Sequence, residues 1–338
     1  MTTHQLPDRP GVVEINSSEK SILSVLFAEE GKQVLSGGEE GVIRRWRVDD
    51  GQEVSEPIRV EGAEVYAAAL SPDGKWLACG LRRLSSNVKV WNAHTHEEVL
   101  DIKGHTSTMF GVDVSPDSTK LATGSADKTA CIWNITTGEQ LVGPLQHEYY
   151  IVAVRFSPNG DRFATATAAE NYDDEKTAKS IRIYDSGNGH LLSDIPFMNS
   201  HTMTSLAWTL DGCQLLAASY SRVKQFDTSS GSLLKEWSVP GGGRRASVVL
   251  SRNQKFAVVA AYESLSFWDT STHQQIGTVL KQTSIIRWIA LSPNDDQIAT
   301  GEGNGKVTLR NLRGILPVSY LTVNVSVRLG SIVDSDTS

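Results

Sequence analysis

Short apolar runs separated by polar turns recur along the chain. In the clearest copy, apolar runs lie at residues 112–114, 121–124 and 132–133, with turns of the type Ser-Pro-Asp and Ala-Asp-Lys between them. A fourth run, residues 140–145, follows the turn at residues 136–138. Alternating apolar and polar positions bounded by turn residues are typical of β-strands. The segment is therefore predicted to form a four-stranded antiparallel sheet.

The same frame recurs about every 40–45 residues. The turns equivalent to Ser115-Pro116-Asp117 are Ser71-Pro72-Asp73, Ser157-Pro158-Asn159 and Ser292-Pro293-Asn294, with degenerate copies at Leu210-Asp211-Gly212, Arg252-Asn253 and Glu29-Glu30-Gly31. The side chains near the end of the third strand are Trp46, Trp91, Trp133, Tyr184, Phe226 and Trp268, and then Arg310 in the last copy. Because the repeat runs through the chain, we expect one body rather than the two domains that the length of 338 residues suggests.

A repeat of this length with four strands and a terminal Trp resembles the WD40 family, over residues ~12 to 313. The resemblance implies an all-β fold, a seven-bladed β-propeller of four-stranded antiparallel blades. Residues 1–11 are then a flexible N-terminus, residues 12–313 the propeller, and residues 314–338 a C-terminal tail or closing strand.

The ring needs an outer strand for its last blade, because an open blade exposes an unpaired strand edge. Val12-Val13-Glu14-Ile15 lies at the same offset before the first repeat as Ile58 and Ile102 do before theirs. Residues 318–323 also stand where an outer strand should follow Arg310. Both segments remain candidates, and we favour the N-terminal one.

The resemblance also implies a buried hydrogen-bonded tetrad in the third blade. Its members map to His105, Asp127, Trp133 and either Thr123 or Ser125. A buried carboxylate must be satisfied, and an imidazole and an indole supply donors. His147 keeps the His place in the fourth blade, whereas other residue types stand there in blades two, five, six and seven, namely Glu61, Asn199, Gly241 and Gln282. We therefore expect blades of unequal stability.

Composition and charge limit the classes of partner that we expect for the chain. The chain is 39% hydrophobic and 21% charged, which suits a packed core, and its net charge of −7 argues against a general phosphate-backbone binder. The start of the chain has no apolar signal-type run, and Arg328 interrupts the apolar stretch at residues 316–333. We expect neither nucleic acid nor membrane as partner, location in the cytoplasm and also in the nucleus, and a monomer by itself.

Candidate chemistry is sparse. Cys79, Cys131 and Cys213 are far apart and in no metal-binding spacing. His94-Thr95-His96 is interpreted as a surface turn, and residues 173–175 as a solvated acidic loop without a calcium-loop pattern. Gly241 to Arg245 resembles a phosphate cradle, but no helix signal follows. We expect no metal, no cofactor and no catalysis.

The predicted function is a non-catalytic scaffold that binds other proteins or peptides. In a propeller, the loops that enter the innermost strands gather at one mouth, the top face. The side chains expected there are Glu64, Tyr66, Arg82, Arg83, Thr108, Phe110, Tyr150, Arg244 and Arg287. Aromatic residues and arginines are enriched at interaction hot spots. The alternative is that Tyr66 and Phe110 only fill the central channel of the propeller.

Other functions remain open. The alternative is a substrate receptor or sensor module of a ubiquitin-ligase or NTPase signalling complex. A basic residue three places after the Trp, a mark of such ligase receptors, is absent except at Arg313, and no P-loop is present. An enzyme with its site in the central funnel is less favoured, because the innermost runs are mostly apolar.

Overall fold

The protein folds into seven four-stranded antiparallel sheets that form a closed ring, a β-propeller. The computed structural model describes residues 11–83, 87–168, 179–197, 203–219, 222–241 and 246–321. Ring closure is seen in the innermost strands: β2 (Ile22–Ala28), β6 (Ala63–Leu70), β10 (Met109–Val114), β14 (Tyr150–Phe156), β18 (Met203–Trp208), β22 (Ala246–Leu250) and β26 (Ile286–Leu291). Each contacts the next, and β26 contacts β2.

The remaining strands complete the blades in chain order. The second strands are β3 (Gln33–Gly38), β7 (Trp76–Arg83), β11 (Lys120–Ser125), β15 (Arg162–Ala168), β19 (Gln214–Ser219), β23 (Phe256–Ala261) and β27 (Gln297–Glu302). The third strands are β4 (Val42–Arg47), β8 (Val88–Asn92), β12 (Thr129–Asn134), β16 (Lys179–Asp185), β20 (Arg222–Asp227), β24 (Ser264–Asp269) and β28 (Lys306–Asn311). The outer strands are β5 (Ile58–Arg59), β9 (Glu98–Ile102), β13 (Gln140–Gln146), β17 (Leu191–Phe197), β21 (Leu233–Ser238), β25 (Gln275–Lys281) and β1 (Val12–Asn16). Two short 3₁₀ turns lie at Glu29–Gly31 and Val318–Tyr320.

The N-terminal strand closes the ring. β1 pairs antiparallel with β28, from Val12 opposite Arg310 to Asn16 opposite Lys306. Ile15 is buried in the apolar cluster that also holds Val307. The first and last strands of the propeller therefore belong to the same sheet, and the alternative of a closing strand at residues 318–323 is wrong over its described part.

The segment that follows the last strand packs against the ring instead. Leu316 and Leu321 are buried in the cluster between blades six and seven, and the hydroxyl of Tyr320 donates to Asp269 at 2.7 Å. Residues 314–321 are thus not a loose tail. Residues 322–338 lie outside the described residues.

Apolar packing between neighbouring blades forms the core. Gly80 and Gly124 occupy the same place in the second strands of blades two and three. A Cβ at Gly80 would lie 2.7 Å from the Cβ of Met109, and one at Gly124 would lie 2.5 Å from Cγ2 of Ile151. The absence of a side chain at these two positions therefore lets the next blade approach closely.

Candidate functional site

The third blade holds a continuous hydrogen-bond chain among the residues assigned to the tetrad. Trp133 Nε1 donates to Thr123 Oγ1 at 2.9 Å, and that hydroxyl lies 2.9 Å from His105 Nε2. His105 Nδ1 lies 2.9 Å from Asp127 Oδ2. Thr123 takes the hydroxyl place, whereas Ser125 donates to the carbonyl of Ser107.

The Asp127 carboxylate ties the chain to its turn. It accepts from the main-chain N–H of Thr106 and of Thr129, both at 2.9 Å, and from the Thr129 hydroxyl. These bonds and His105 hold the pKa of Asp127 well below its usual range, against the opposing effect of burial. Both oxygens of this carboxylate thus accept hydrogen bonds within the blade, which makes Asp127 a structural anion.

The fourth blade keeps the imidazole without the carboxylate. His147 Nε2 lies 3.0 Å from Thr165 Oγ1 and 3.1 Å from the Tyr184 hydroxyl, and Nδ1 lies 3.1 Å from the carbonyl of Leu145. Since the carbonyl only accepts, Nδ1 carries the proton, and Nε2 is the acceptor atom that faces the two hydroxyls. Burial lowers the pKa of His147 to about 4.

The seventh blade replaces the tetrad by another network. Gln282 Oε1 accepts from Arg310 at 2.9 Å, which explains why an arginine follows the aromatic series at this place. Glu302 accepts from the Thr308 hydroxyl at 2.7 Å. Burial raises the pKa of Glu302. These bonds pair part of the buried polar groups of this blade, whereas Glu302 Oε2 has no hydrogen-bond partner within the described residues.

Three aromatic side chains form a row across the innermost strands of blades two, three and four. The ring centroids of Tyr66 and Phe110 are 5.0 Å apart in an edge-to-face arrangement, and those of Phe110 and Tyr150 are 6.3 Å apart. All three stand near the start of their strands, β6, β10 and β14. Tyr66 is buried, whereas Phe110 and Tyr150 are half-buried. We call these three residues the aromatic row.

A charged pair lies at one end of the row. Arg82 Nε donates to Glu64, whose side chain is buried. The Arg82 guanidinium also stands 5.3 Å from the centre of the Tyr66 ring. The arginine is held by a carboxylate and an aromatic face together, which orients a cation beside the row.

The other predicted residues are spread more widely. Thr108 directly precedes β10 and is half-buried. Arg287 lies on β26, so blade one separates it from Tyr66, and its buried Nε has no hydrogen-bond partner within the described residues. The Arg83 side chain, Arg244 and most of the insertion Ala168 to Lys179 lie outside the described residues, as do residues 173–175.

A family model for the WD domain, G-beta repeat, matches residues 56–92 and 96–134. Each match joins the outer strand of one blade to the first three strands of the next, which is the offset that places β1 in the seventh blade. The chain thus carries WD40-type repeats at these two places, within a seven-bladed propeller.

The propeller is also similar to Protein groucho of Drosophila melanogaster, with 30% identity over 109 residues. The match covers 32% of this chain and 15% of the groucho chain. The similarity thus spans only a small part of that relative.

Few of the described side chains are placed to form a metal or redox site. Among the described residues, no group of three or more His, Cys, Asp or Glu side chains is placed to hold a metal ion. Cys79 and Cys131 are buried, and burial raises the pKa of the Cys131 thiol to about 12. In the described part of the chain, no helix is long and apolar enough to cross a membrane.

Sequence reasoning missed one feature, a cavity of about 560 Å³ between blades five and six. Two of its lining residues, Trp237 and Trp268, are 6.3 Å apart between ring centroids. The signal was present in the sequence as a Trp on an outer strand. It becomes visible only when the strand register shows which residue types occupy that place in the other blades.

Proposed function

We propose that this WD40 propeller is a non-catalytic platform that binds partner proteins or peptides on its top face, at the aromatic row. The observation that supports this best is the contact series from Tyr66 through Phe110 to Tyr150, which joins three blades at the start of their innermost strands. A partner that covers the row would contact three blades at once.

The exposure of the row supports binding over simple plugging. Side chains that only fill a channel bury their apolar surface, as Tyr66 does, but Phe110 and Tyr150 keep part of their rings accessible. Burying aromatic surface gives a large free-energy gain per residue, and a partly accessible ring keeps that gain for a partner.

Arg82 adds direction to the apolar surface. Because Glu64 and the Tyr66 ring already orient its guanidinium, little side-chain entropy is lost when a partner contacts it. We expect the partner to present an apolar or aromatic side chain to the row and a hydrogen-bond acceptor to Arg82.

Affinity purification of the tagged full chain, with quantitative mass spectrometry, tests the proposal. Tyr150→Ala and Phe110→Ala should each deplete at least one co-purifying protein about tenfold or more, because loss of a hot-spot residue costs roughly 1–4 kcal/mol. Their melting temperatures should stay close to that of the wild type. Val99→Ser, on the exposed outer strand of blade two, is the matched control and should leave the partners unchanged. Identical partner profiles for all variants would place the interface elsewhere.

A further inference from the structure

The cavity between blades five and six has an apolar floor and a polar rim. Leu216, Ala257 and Trp268 are buried and belong to the apolar cluster that joins the two blades. Its volume of about 560 Å³ falls within the range of ligand pockets, roughly 300–1,000 Å³. The cavity therefore has room for more than one side chain.

Trp237 is the residue that departs from the repeat at this cavity. It lies on β21 opposite Val223. The residues at the same place in the other six blades are all Ile or Leu: Ile58, Ile102, Leu145, Ile195, Leu280 and Ile15. An aliphatic side chain thus satisfies the packing between blades, and the indole adds something that packing does not require.

The indole of Trp237 is positioned by aromatic contacts but lacks a hydrogen bond. Its ring lies 5.0 Å from that of His273 in an edge-to-face arrangement. Its Nε1 is buried and has no partner within the described residues. By contrast, four other indoles donate to a hydroxyl or a carbonyl: Trp46, Trp133, Trp208 and Trp268. A buried N–H without an acceptor costs free energy, so the site is set up for a ligand that brings one.

The charge at the rim selects the kind of acceptor. Asp211 and Asp269 both line the cavity, and hydrogen bonds from their own turns lower the pKa of each carboxyl. The two ionised groups disfavour an anionic ligand and favour a basic one. The acceptor for Trp237 is then a neutral oxygen, such as a peptide carbonyl.

The size of the ligand follows from Leu210. This leucine lines the cavity, yet 64% of its surface is exposed, in the turn position where blades two, three, four and seven have Pro. A molecule contained within the cavity would leave Leu210 in water, whereas a longer chain would cover both. The site is therefore matched to an extended segment.

We infer that the cavity between blades five and six is a second protein-binding site, which takes an extended peptide with a large apolar side chain against Trp237 and Leu210, a main-chain carbonyl on Trp237 Nε1, and a basic residue near Asp211 and Asp269. The site is separate from the aromatic row, so neither assignment depends on the other.

A display library of random ten-residue peptides, selected on the full chain, provides the probe. Enriched peptides should combine a large apolar residue with Lys or Arg, and fluorescence anisotropy should show binding about tenfold or more weaker to Trp237→Ile. That variant installs the residue type of the other blades, so its melting temperature should remain near that of the wild type. Trp237→Phe keeps an aromatic ring without the N–H and should lose less.

A spectroscopic readout reports on the proposed hydrogen bond itself. In ¹H–¹⁵N spectra, the indole resonance that disappears in Trp237→Phe should move downfield when a selected peptide is added to the wild type. Leu210→Ser, a substitution at an exposed site, should weaken binding without loss of folding and replaces Trp237→Ile as the test if that variant unfolds.

Phe110→Ala separates this site from the top face, because it should leave binding of these peptides unchanged. The inference is overturned if no enriched peptide depends on Trp237 or Leu210, if acidic peptides are preferred, or if Phe110→Ala abolishes binding to the same extent.

Discussion

His105 and His147 occupy the same place in neighbouring blades but donate to different groups. Nδ1 of His105 meets the Asp127 carboxylate, whereas Nδ1 of His147 meets the carbonyl of Leu145. On the other side, the unprotonated Nε2 of His147 faces two hydroxyls, those of Thr165 and Tyr184. Protonating His147 would add a second ring N–H where an acceptor is needed, inside a buried site.

This difference predicts a pH-dependent loss of stability. The pKa of His147 falls from 6.5 to about 4 on folding, mainly through burial and with Arg182 adding to it while Asp194 opposes it. The unfolded chain therefore binds more protons between these values, so the free energy of unfolding should fall as pH drops from ~6.5 to ~4, by up to about 3 kcal/mol. His147→Gln, which installs the residue type of blade seven, should reduce that slope in urea titrations. Parallel pH profiles for both proteins would contradict the assignment.

The Asp127 carboxylate should be a large contributor to the stability of blade three. Asp127→Ala removes the acceptor of His105 Nδ1 and of two main-chain N–H groups, and we expect a loss of about 1–3 kcal/mol in the free energy of unfolding. Glu40→Ala is the matched control, since Glu40 stands at the same turn position and is partly exposed, 3.6 Å from Arg44. Equal shifts of the urea midpoint at both positions would refute the difference between the two turns.

At the scale of single residues, the sequence predicts the positions of side chains better than it predicts their hydrogen bonds. The spacing of His105, Asp127 and Trp133 fits their contacts, but Thr123 and Ser125 are two hydroxyl residues on one face of the same strand. The structure assigns Thr123 to the chain because Ser125 bonds to the entering loop instead.

At the scale of secondary-structure elements, one strand, β1, closes the ring. β1 is separated from the sheet it completes by the whole of the propeller, and it is held there by its pairing with β28, by buried Ile15 and by an ion pair of Glu14 with Lys306 at 2.9 Å. Blade seven should therefore be sensitive to changes near the N-terminus. The sequence offset favoured this strand, and the described part of the alternative segment packs against blades six and seven instead.

Deleting residues 1–16 should expose the edge of β28, and we expect the protein to lose stability or to form oligomers through that edge. Ile15→Asp is a milder version, because it places a charge in a buried apolar cluster. Glu14→Ala is the control, since it removes only a surface ion pair worth about 0–1 kcal/mol. Size-exclusion chromatography with thermal melting separates the outcomes, and a monomeric deletion mutant of unchanged stability would disprove the closure.

At the scale of the whole molecule, seven sheets form one continuous ring. Contacts between neighbouring blades determine which side chains lie together on its surface. Tyr66 and Phe110 are far apart in sequence, and their edge-to-face contact arises because β6 and β10 are neighbours in the ring. The spacing of the repeat in the sequence was sufficient to place both side chains near the start of their strands. It was insufficient for Arg287, because the distance around the mouth depends on the number of blades between two residues.

The cavity at Trp237 shows the same limit from the other side. Its lining comes from two blades, and the cavity exists only where blade five meets blade six. A sequence read one repeat at a time therefore finds the fold and the expected mouth of the ring but not the spaces between the blades.

Site-specific photo-cross-linking tests the central claim, binding at the aromatic row, most directly. A benzoylphenylalanine introduced at Thr108, beside the row, should yield discrete cross-linked partner proteins in cells, and Phe110→Ala in the same chain should suppress them. The same group introduced at Leu192, on the outer strand of blade four and 52% exposed, is the control and should not capture these proteins. Cross-links from Leu192 alone, or adducts from Thr108 that persist in the Phe110→Ala background, would contradict the proposed binding face.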